Sequence, residues 1–139
     1  MLIRLVSKCP DTPALSVSGV DIDQAGLAIL YALHAEKASL RVTDLAERLG
    51  IDAPAVTRKA QRLERLGLVS RARDAEDARV CQLRLSARGE EAISRFLVAR
   101  HQWLTTLLAD WPPEERDDFA RLICRFAGDI HKHLDELDV

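Results

Sequence analysis

Two adjoining segments decide the fold of this chain: Thr43-Asp-Leu-Ala-Glu-Arg-Leu-Gly50 and Ile51-Asp-Ala-Pro-Ala-Val-Thr-Arg-Lys-Ala-Gln-Arg-Leu-Glu-Arg-Leu-Gly67. Thr43 and Asp52 are residue types that cap helices, because their side-chain oxygens accept from unpaired N–H groups of the first turn. Gly50 and Gly67 stand where helices commonly end, since glycine adopts positive φ without strain. Pro54 falls in the first turn of the second helix, where a missing N–H costs nothing. The pattern predicts two helices joined by a short turn.

A strand, a charged loop and a second strand are predicted after these helices, at residues 69–73, 74–79 and 80–85. Apolar and polar residues alternate along the second strand, as in a half-buried strand. Its inward positions are Cys81, Leu83 and Leu85. The link before the first helix, Ala38–Val42, is extended and can add a third strand. This order of elements indicates a winged helix-turn-helix, in which residues 69–85 are the wing.

The second helix has two different faces. Apolar residues recur at helical spacing along one side, at Val56, Ala60, Leu63 and Leu66. The opposite face carries donors for phosphates and base edges, where Arg can pair with guanine and Gln with adenine. The candidates on that face and its edge are Pro54, Thr57, Arg58, Gln61, Arg62 and Arg65. For this helix alone a solvated basic face would be sufficient, but the turn before it and the basic loop after it favour a nucleic-acid surface.

Positive charge is concentrated in one part of the chain. The segment Arg58–Arg88 holds nine lysines and arginines against four acidic residues, a local net charge of +5. The whole chain carries −2, which leaves −7 for the remainder. A cationic segment in an acidic chain indicates a surface directed at a polyanion. Counterion release would make such binding depend strongly on salt.

Residues 24 to about 130 resemble the MarR family of transcriptional regulators. The matching stretches are Leu45-Ala-Glu-Arg-Leu-Gly50, Ala55-Val-Thr-Arg58, Leu63-Glu-Arg-Leu-Gly-Leu-Val69, Arg71 with Asp77-Ala-Arg79, and Leu83-Arg-Leu-Ser-Ala-Arg-Gly89. In that family the last arginine of the wing enters the minor groove and an aspartate orients it. The resemblance implies these roles for Arg79 and Asp77, with Ala78 where the fuller motif has an arginine. We also expect Arg73 of the wing to reach the neighbouring DNA backbone.

The chain ahead of the helix-turn-helix is less regular. Pro10 and Pro13 interrupt an apolar start, and residues 16–19 predict a loop. A helix is predicted from Val20 to about Glu36, with an aspartate, Asp21 or Asp23, near its start. Chains of the MarR family usually begin with a longer helix that joins the dimer interface, and here that element is short or absent.

Two long amphipathic helices are predicted after the wing. Ser86 caps the first, which runs from Ala87 to about Asp110, and Trp111-Pro-Pro113 breaks it. The last helix runs from Glu114 to about Leu137. Together they offer more apolar surface than a small winged helix can cover, which predicts a homodimer; a helical hairpin within a monomer is the alternative.

The expected fold class is mainly α with a small β wing, in one compact domain. Within it we expect a short N-terminal segment at residues 1–19, a DNA-binding lobe at residues 20–88 and a C-terminal dimerisation region at residues 89–139. The absence of an apolar run long enough to cross a bilayer, and of a signal-peptide layout, predicts a cytoplasmic protein without membrane contact.

Other kinds of site are not expected. The three cysteines, Cys9, Cys81 and Cys124, lack C-x-x-C spacing and favour a reducing compartment. His131 and His133 point apart on a helix, so zinc would need ligands from elsewhere. The sequence has no glycine-rich phosphate loop, serine nucleophile elbow or paired catalytic carboxylates. We therefore expect no enzyme activity, no metal and no cofactor.

The leading hypothesis is a homodimeric regulator, most often a repressor in such families, that binds a pseudo-palindrome in double-stranded DNA. The resemblance implies a small-molecule effector site between the DNA-binding lobe and the dimer helices, for which Tyr31, His34 and Trp103 are candidates. Two alternatives stay open. One is a winged helix used for protein–protein interaction, and the other is a redox or metal sensor on the same scaffold.

Overall fold

The structure, a computed structural model, describes residues 16–17, 20–73 and 80–137. Its elements in chain order are β1 (Ser16–Val17), β2 (Val20–Asp21), α1 (Gln24–Glu36), β3 (Leu40–Arg41), α2 (Val42–Leu49), α3 (Ala53–Arg65), β4 (Val69–Arg73), β5 (Cys81–Leu85), α4 (Ala87–Leu107) and α5 (Pro113–Leu137). The chain is mainly helical with a small antiparallel sheet, which confirms the predicted fold class.

The predicted helix-turn-helix is confirmed at the junction of α2 and α3. Gly50 ends α2 with φ 62°, and the Asp52 side chain accepts from the Ala55 N–H at 2.7 Å to cap α3. Pro54 lies in the first turn of α3, and Gly67 adopts φ 72° just after that helix. The short turn and both helix ends therefore follow from the local chemistry of these residues.

The start of α2 differs from the prediction that Thr43 caps it. The helix begins at Val42, and its N-cap is Arg41, which makes no side-chain cap hydrogen bond. Arg41 is held in the extended region, at φ −69° and ψ 148°, because it is also the last residue of strand β3. Pairing of β3 with β5 thus fixes where α2 starts, and Thr43 becomes its second residue.

The predicted helix from Val20 begins later, at Gln24. Asp23 is its N-cap, and one carboxylate oxygen accepts from the Gly26 N–H at 2.9 Å. The preceding residues Val20–Asp21 pair antiparallel with Ser16–Val17, two residues that were predicted to belong to a loop. The β-branched Val20 favours the extended pairing over the helix, and the helix begins only after the cap at Asp23.

The wing strands and the third strand form one antiparallel sheet in the order β3-β5-β4. Leu83 pairs with Leu40 on one side and with Arg71 on the other, and its side chain is fully buried. Cys81 is half-buried where the alternation predicted an inward position. The central strand β5 therefore pairs with both β3, in the link before α2, and β4, the other strand of the wing.

The hydrophobic core draws on every element from α1 to the start of α4. Its largest fully buried side chains are Ile29, Leu30, Leu33, Leu45, Val56, Leu63, Leu68, Leu83 and Ile93. Ser86 caps α4 as predicted, accepting from the Gly89 N–H at 3.0 Å. A β-carbon at Gly89 would lie 1.9 Å from the Leu68 carbonyl oxygen, so only glycine lets α4 approach the sheet this closely.

The described residues divide into two compact units between His101 and Gln102, a point within α4. In the second unit the rings of Trp111 and Phe119 meet edge to face, with centroids 5.4 Å apart. Several large apolar side chains of α5 are about half exposed, namely Leu122, Ile123, Phe126 and Ile130. None of the helices in the described ranges is long and apolar enough to span a membrane.

Candidate nucleic-acid interface

Helix α3 presents a polar face opposite its buried one. Val56, Ala60 and Leu63 are at most 2% exposed and fix how the helix lies on the core. At 3.6 residues per turn, Pro54, Arg58 and Arg65 then point away from the core within about 40° of each other. The predicted residues that are exposed on this side are Pro54, Arg58, Gln61, Arg62 and Arg65. The structure therefore brings these predicted contacts together on one surface, which we call the outward face of α3.

Thr57 lies at the edge of the outward face. Its hydroxyl donates to the Ala53 carbonyl at 2.9 Å, so the proton is used within the helix. The side chain lines a cleft of about 410 Å³ between α3 and the sheet, together with Arg41, Thr43 and Arg71. We call this space the helix–strand cleft. Thr57 is thus placed at the cleft wall and is not one of the exposed donors.

An ion pair joins α3, at the edge of its outward face, to the wing. Arg71 on β4 donates from Nε to a Glu64 carboxylate oxygen on α3 at 3.0 Å. This hydrogen bond raises the pKa of Arg71 above its ordinary value, so the guanidinium stays charged. Neither residue is among the contacts predicted from the sequence. Their separation of seven positions across the turn at Gly67 was the available signal, but it becomes a contact only once β4 folds back beside α3.

A second ion pair joins the opposite flank of α3 to α1. Lys59 donates to the carboxylate oxygen of Asp23 that does not cap α1. The Lys59 hydrogen bond, and then that from the Gly26 N–H, hold the pKa of Asp23 below its ordinary value of 3.8. The charge of Arg62 acts in the same direction. This flank therefore anchors the helix, while the arginines between the two ion pairs face outward.

The tip of the wing carries the remaining predicted contacts. Asp77 and Arg79 lie outside the described residues, and their roles stay predictions. The backbone of Arg73 ends β4 and pairs with Cys81, but its side chain also lies outside the described part. What the structure provides here is the pair of strands from which the loop extends.

The effector candidates fall in different parts of the chain. The guanidinium of Arg100 lies 5.9 Å from the centroid of the Tyr31 ring, a cation–π contact on the surface of α1. His34 is one helical turn away, with Nδ1 2.7 Å from a Glu90 carboxylate oxygen. Glu90 also lines a cleft of about 430 Å³ with Lys37. The third candidate, Trp103, is half-buried and belongs to the second unit.

The metal-sensor and redox-sensor hypotheses were examined against the His, Cys, Asp and Glu side chains of the described residues. No group of three or more His, Cys, Asp or Glu side chains could hold a metal among them. Cys124 is exposed, whereas Cys81 is half-buried with its Sγ 3.8 Å from an Arg71 nitrogen. Cys9 lies outside the described residues. We assign no sensor role to these cysteines.

Comparison with known proteins identifies relatives that are described as transcriptional regulators. A family model described as the MarR family matches residues 21–80. The chain is 34% identical over 111 residues to an uncharacterized HTH-type transcriptional regulator, YdgJ of Bacillus subtilis strain 168, covering 79% of this chain and 66% of that protein. It is 30% identical over 106 residues to the HTH-type transcriptional repressor MdtR of the same organism, covering 76% and 68%. The alignments thus span about two thirds of each relative's length.

Solved structures share the fold over most of the chain. The crystal structure of MarR superposes with a TM-score of 0.71 at 29% identity, covering 83% of this chain and 78% of that one. A MarR family protein from Bacillus stearothermophilus superposes with a TM-score of 0.76 at 26% identity, covering 94% and 91%. With the helix-turn-helix, the wing and the basic outward face already in place, sequence and fold agree that the chain belongs to the MarR family of DNA-binding transcriptional regulators.

Proposed function

We propose that this protein is a homodimeric regulator that binds a pseudo-palindromic site in double-stranded DNA and acts as a repressor. The outward face of α3 is the observation that carries the proposal. Arg58, Gln61 and Arg65 are exposed there, while the opposite side of the helix is buried in the core. The buried side fixes the orientation of the helix, so its arginines face the solvent together. Such a cationic surface is suited to binding DNA.

Each subunit would insert α3 into a major groove. The candidates for base and phosphate contacts are Arg58, Gln61, Arg62 and Arg65. Pro54 and Thr57, at the start of the helix, would lie close to the DNA backbone. Arg73 and Arg79 of the wing would reach the neighbouring backbone and the minor groove, with Asp77 orienting Arg79. Phosphate contacts would set the affinity, and the few base contacts would set the sequence preference.

The dimer is supported by the apolar surface of α5. Phe126 is 58% exposed and Leu122 52%, four residues apart on one side of the helix. Side chains of this size are costly to leave in water, at about 25 cal/mol per Å² of apolar area. Burial against a second copy would also hold two α3 helices about 34 Å apart, the spacing of half-sites on one side of a duplex.

The descriptions of two relatives support repression and the binding of a ligand. MdtR is described as a repressor. The PcaV regulator from Streptomyces coelicolor, 28% identical with a TM-score of 0.66, was solved in complex with its natural ligand. We propose an effector site at Tyr31 and His34 on α1, and the part of Trp103 stays a prediction from the sequence. An effector can shift DNA affinity only if it binds the two states of the dimer with different affinities.

The decisive experiment is fluorescence anisotropy with a duplex selected from fragments of the source genome, at several salt concentrations. Arg58→Ala is expected to weaken binding about tenfold or more, because it removes a contact from the outward face. Arg95→Ala is the matched control, since Arg95 is an exposed arginine on α4 that pairs with Glu91 at 2.6 Å. If no duplex is selected, or if both variants bind as the wild type does, a protein–protein role for the winged helix is favoured.

A further inference from the structure

The Glu64–Arg71 pair is an acid placed at the edge of a surface that is otherwise cationic. Glu64 is the one acidic residue among the positions 53–65 that form α3. An unpaired carboxylate there would repel a DNA backbone. The structure instead gives it a partner in Arg71, whose Nε donates to it at 3.0 Å. Both side chains are partly exposed, so the pair lies at the surface of the lobe.

Arg71 extends from this pair into the helix–strand cleft. It lines the cleft with Thr57 of α3, Thr43 of α2 and Arg41 of β3. Its Nη1 lies 3.8 Å from the Sγ of Cys81, while Nε makes the bond to Glu64. One edge of the guanidinium is thus held by Glu64, and the cleft that Arg71 lines also carries Arg41 and the hydroxyl of Thr43, while the Thr57 hydroxyl donates to the Ala53 carbonyl.

We propose that Arg71 contacts a DNA phosphate at the helix–strand cleft and that Glu64 is the positioning residue that holds Arg71 for this contact. The proposal rests on the proposed function, because it needs α3 to dock in a major groove. It adds Arg71 to the contacts expected from the sequence. It also gives an acidic residue a favourable part in binding a polyanion.

The physical basis is the geometry of the guanidinium. Its donors form a rigid planar fork, so a bond at Nε leaves the terminal N–H groups able to bind a phosphate. Holding one edge in advance reduces the rotamer entropy lost when the phosphate binds. The pair also ties β4 to α3, which keeps the wing and the outward face at a constant spacing. Lys cannot replace Arg71 in this role, because an ammonium is a point charge without a fork.

The proposal predicts the opposite sign from simple electrostatics for one substitution. Removing a negative charge near DNA normally strengthens binding, since less repulsion remains. If Glu64 positions Arg71, Glu64→Gln weakens binding in spite of the charge it removes. Glu47→Gln is the matched control, because Glu47 is an exposed glutamate on the neighbouring helix α2.

The test measures anisotropy of the full chain with the genome-selected duplex across a salt series. We expect Glu64→Gln to weaken binding roughly threefold to tenfold, a loss of about 0.7–1.4 kcal/mol. Glu47→Gln is expected to bind as tightly as the wild type or more tightly. Arg71→Gln and Arg71→Lys are both expected to weaken binding. Arg71→Gln is also expected to reduce the salt slope by about one unit, the loss of one phosphate contact.

A double-mutant cycle separates positioning from charge. In the Arg71→Gln background, Glu64→Gln is expected to strengthen binding or leave it unchanged, because there is no arginine left to position. The proposal is overturned if Glu64→Gln in the wild-type background binds more tightly, or if Arg71→Lys equals the wild type. Thermal melting of each variant detects a loss of fold. If Glu64→Gln or Arg71→Gln fails to fold, the DNA affinity of Arg71→Lys relative to the wild type decides the question. Failure of the wild type to bind any duplex would instead reject the proposed function.

Discussion

Asp23 performs two tasks with one carboxylate. One oxygen caps α1 through the Gly26 N–H, and the other accepts from Lys59 on α3. Local sequence predicts the first task, because an aspartate before a helix is a common cap. The second depends on α3 lying across α1, which no local pattern encodes. At the scale of the residue, therefore, the caps at Asp23, Asp52 and Ser86 were predictable, whereas the predicted cap at Thr43 was wrong and ion pairs between elements were not predicted.

Replacing Asp23 is expected to lower stability in a pH-dependent manner. Asp23→Ala removes the cap and is expected to cost about 1 kcal/mol near neutral pH. The pKa of Asp23 is lowered in the folded state, so its contribution is present above the ordinary value of 3.8 and is lost as pH falls below that value. Urea denaturation at pH 7 and pH 3 measures the difference. Asp117→Ala, an exposed position on α5, is the control. This account is contradicted if Asp23→Ala lowers the free energy of unfolding by the same amount at pH 7 and at pH 3.

At the scale of the element, contacts between neighbours decided the boundaries that local patterns missed. Asp52 and Gly50 set the turn between α2 and α3 as predicted, since both act within a few residues. Thr43 lost its predicted role because pairing of β3 with β5 carries the extended backbone through Arg41. The outward face of α3 was predictable from helical periodicity. The Glu64–Arg71 pair was not, because it forms across two elements.

Gly89 is the residue on which the packing of α4 depends, and its substitution is expected to be costly. In Gly89→Ala the new methyl group would lie 1.9 Å from the Leu68 carbonyl oxygen, so helix or sheet must move. We expect a loss of about 2 kcal/mol or more in the free energy of unfolding. Gly128→Ala on α5 is the matched control, because its added β-carbon meets nothing within 4 Å. That variant is expected to be neutral or more stable by up to about 1 kcal/mol, and denaturant titration measures both.

At the scale of the whole molecule, the two compact units carry different kinds of surface. The unit before Gln102 contains the core and the basic outward face. The unit after it contains α5, with apolar side chains about half exposed along its length. The sequence predicts a DNA-binding lobe at residues 20–88 and a dimerisation region at residues 89–139, and both roles stay predictions. The partner that covers α5 is a proposal, since a single chain does not encode which surface meets it.

Disrupting the apolar side of α5 is expected to separate the proposed dimer. Phe126→Glu places a charge where a second copy would bury an aromatic ring, and we expect light scattering to report a monomer at micromolar concentration. Affinity for the selected duplex is expected to fall at least about tenfold, because two linked α3 helices bind more tightly than one. Ala120→Glu adds the same side chain on another side of α5 and is expected to remain dimeric. A wild-type monomer, or a dimer that survives Phe126→Glu, would contradict the prediction.

The direct passage from strand β3 into helix α2 limits how this chain can change in length. Arg41 ends the strand and Val42 begins the helix, with no residue between them. A one-residue insertion there would rotate α2 by about 100°, or would shift the strand and exchange its two faces. Either outcome would remove Leu40 or Leu45 from the core. An insertion or deletion at this junction is therefore expected to destabilise the fold. The junction sets the position of α2, and of the helix-turn-helix that it begins, relative to the sheet.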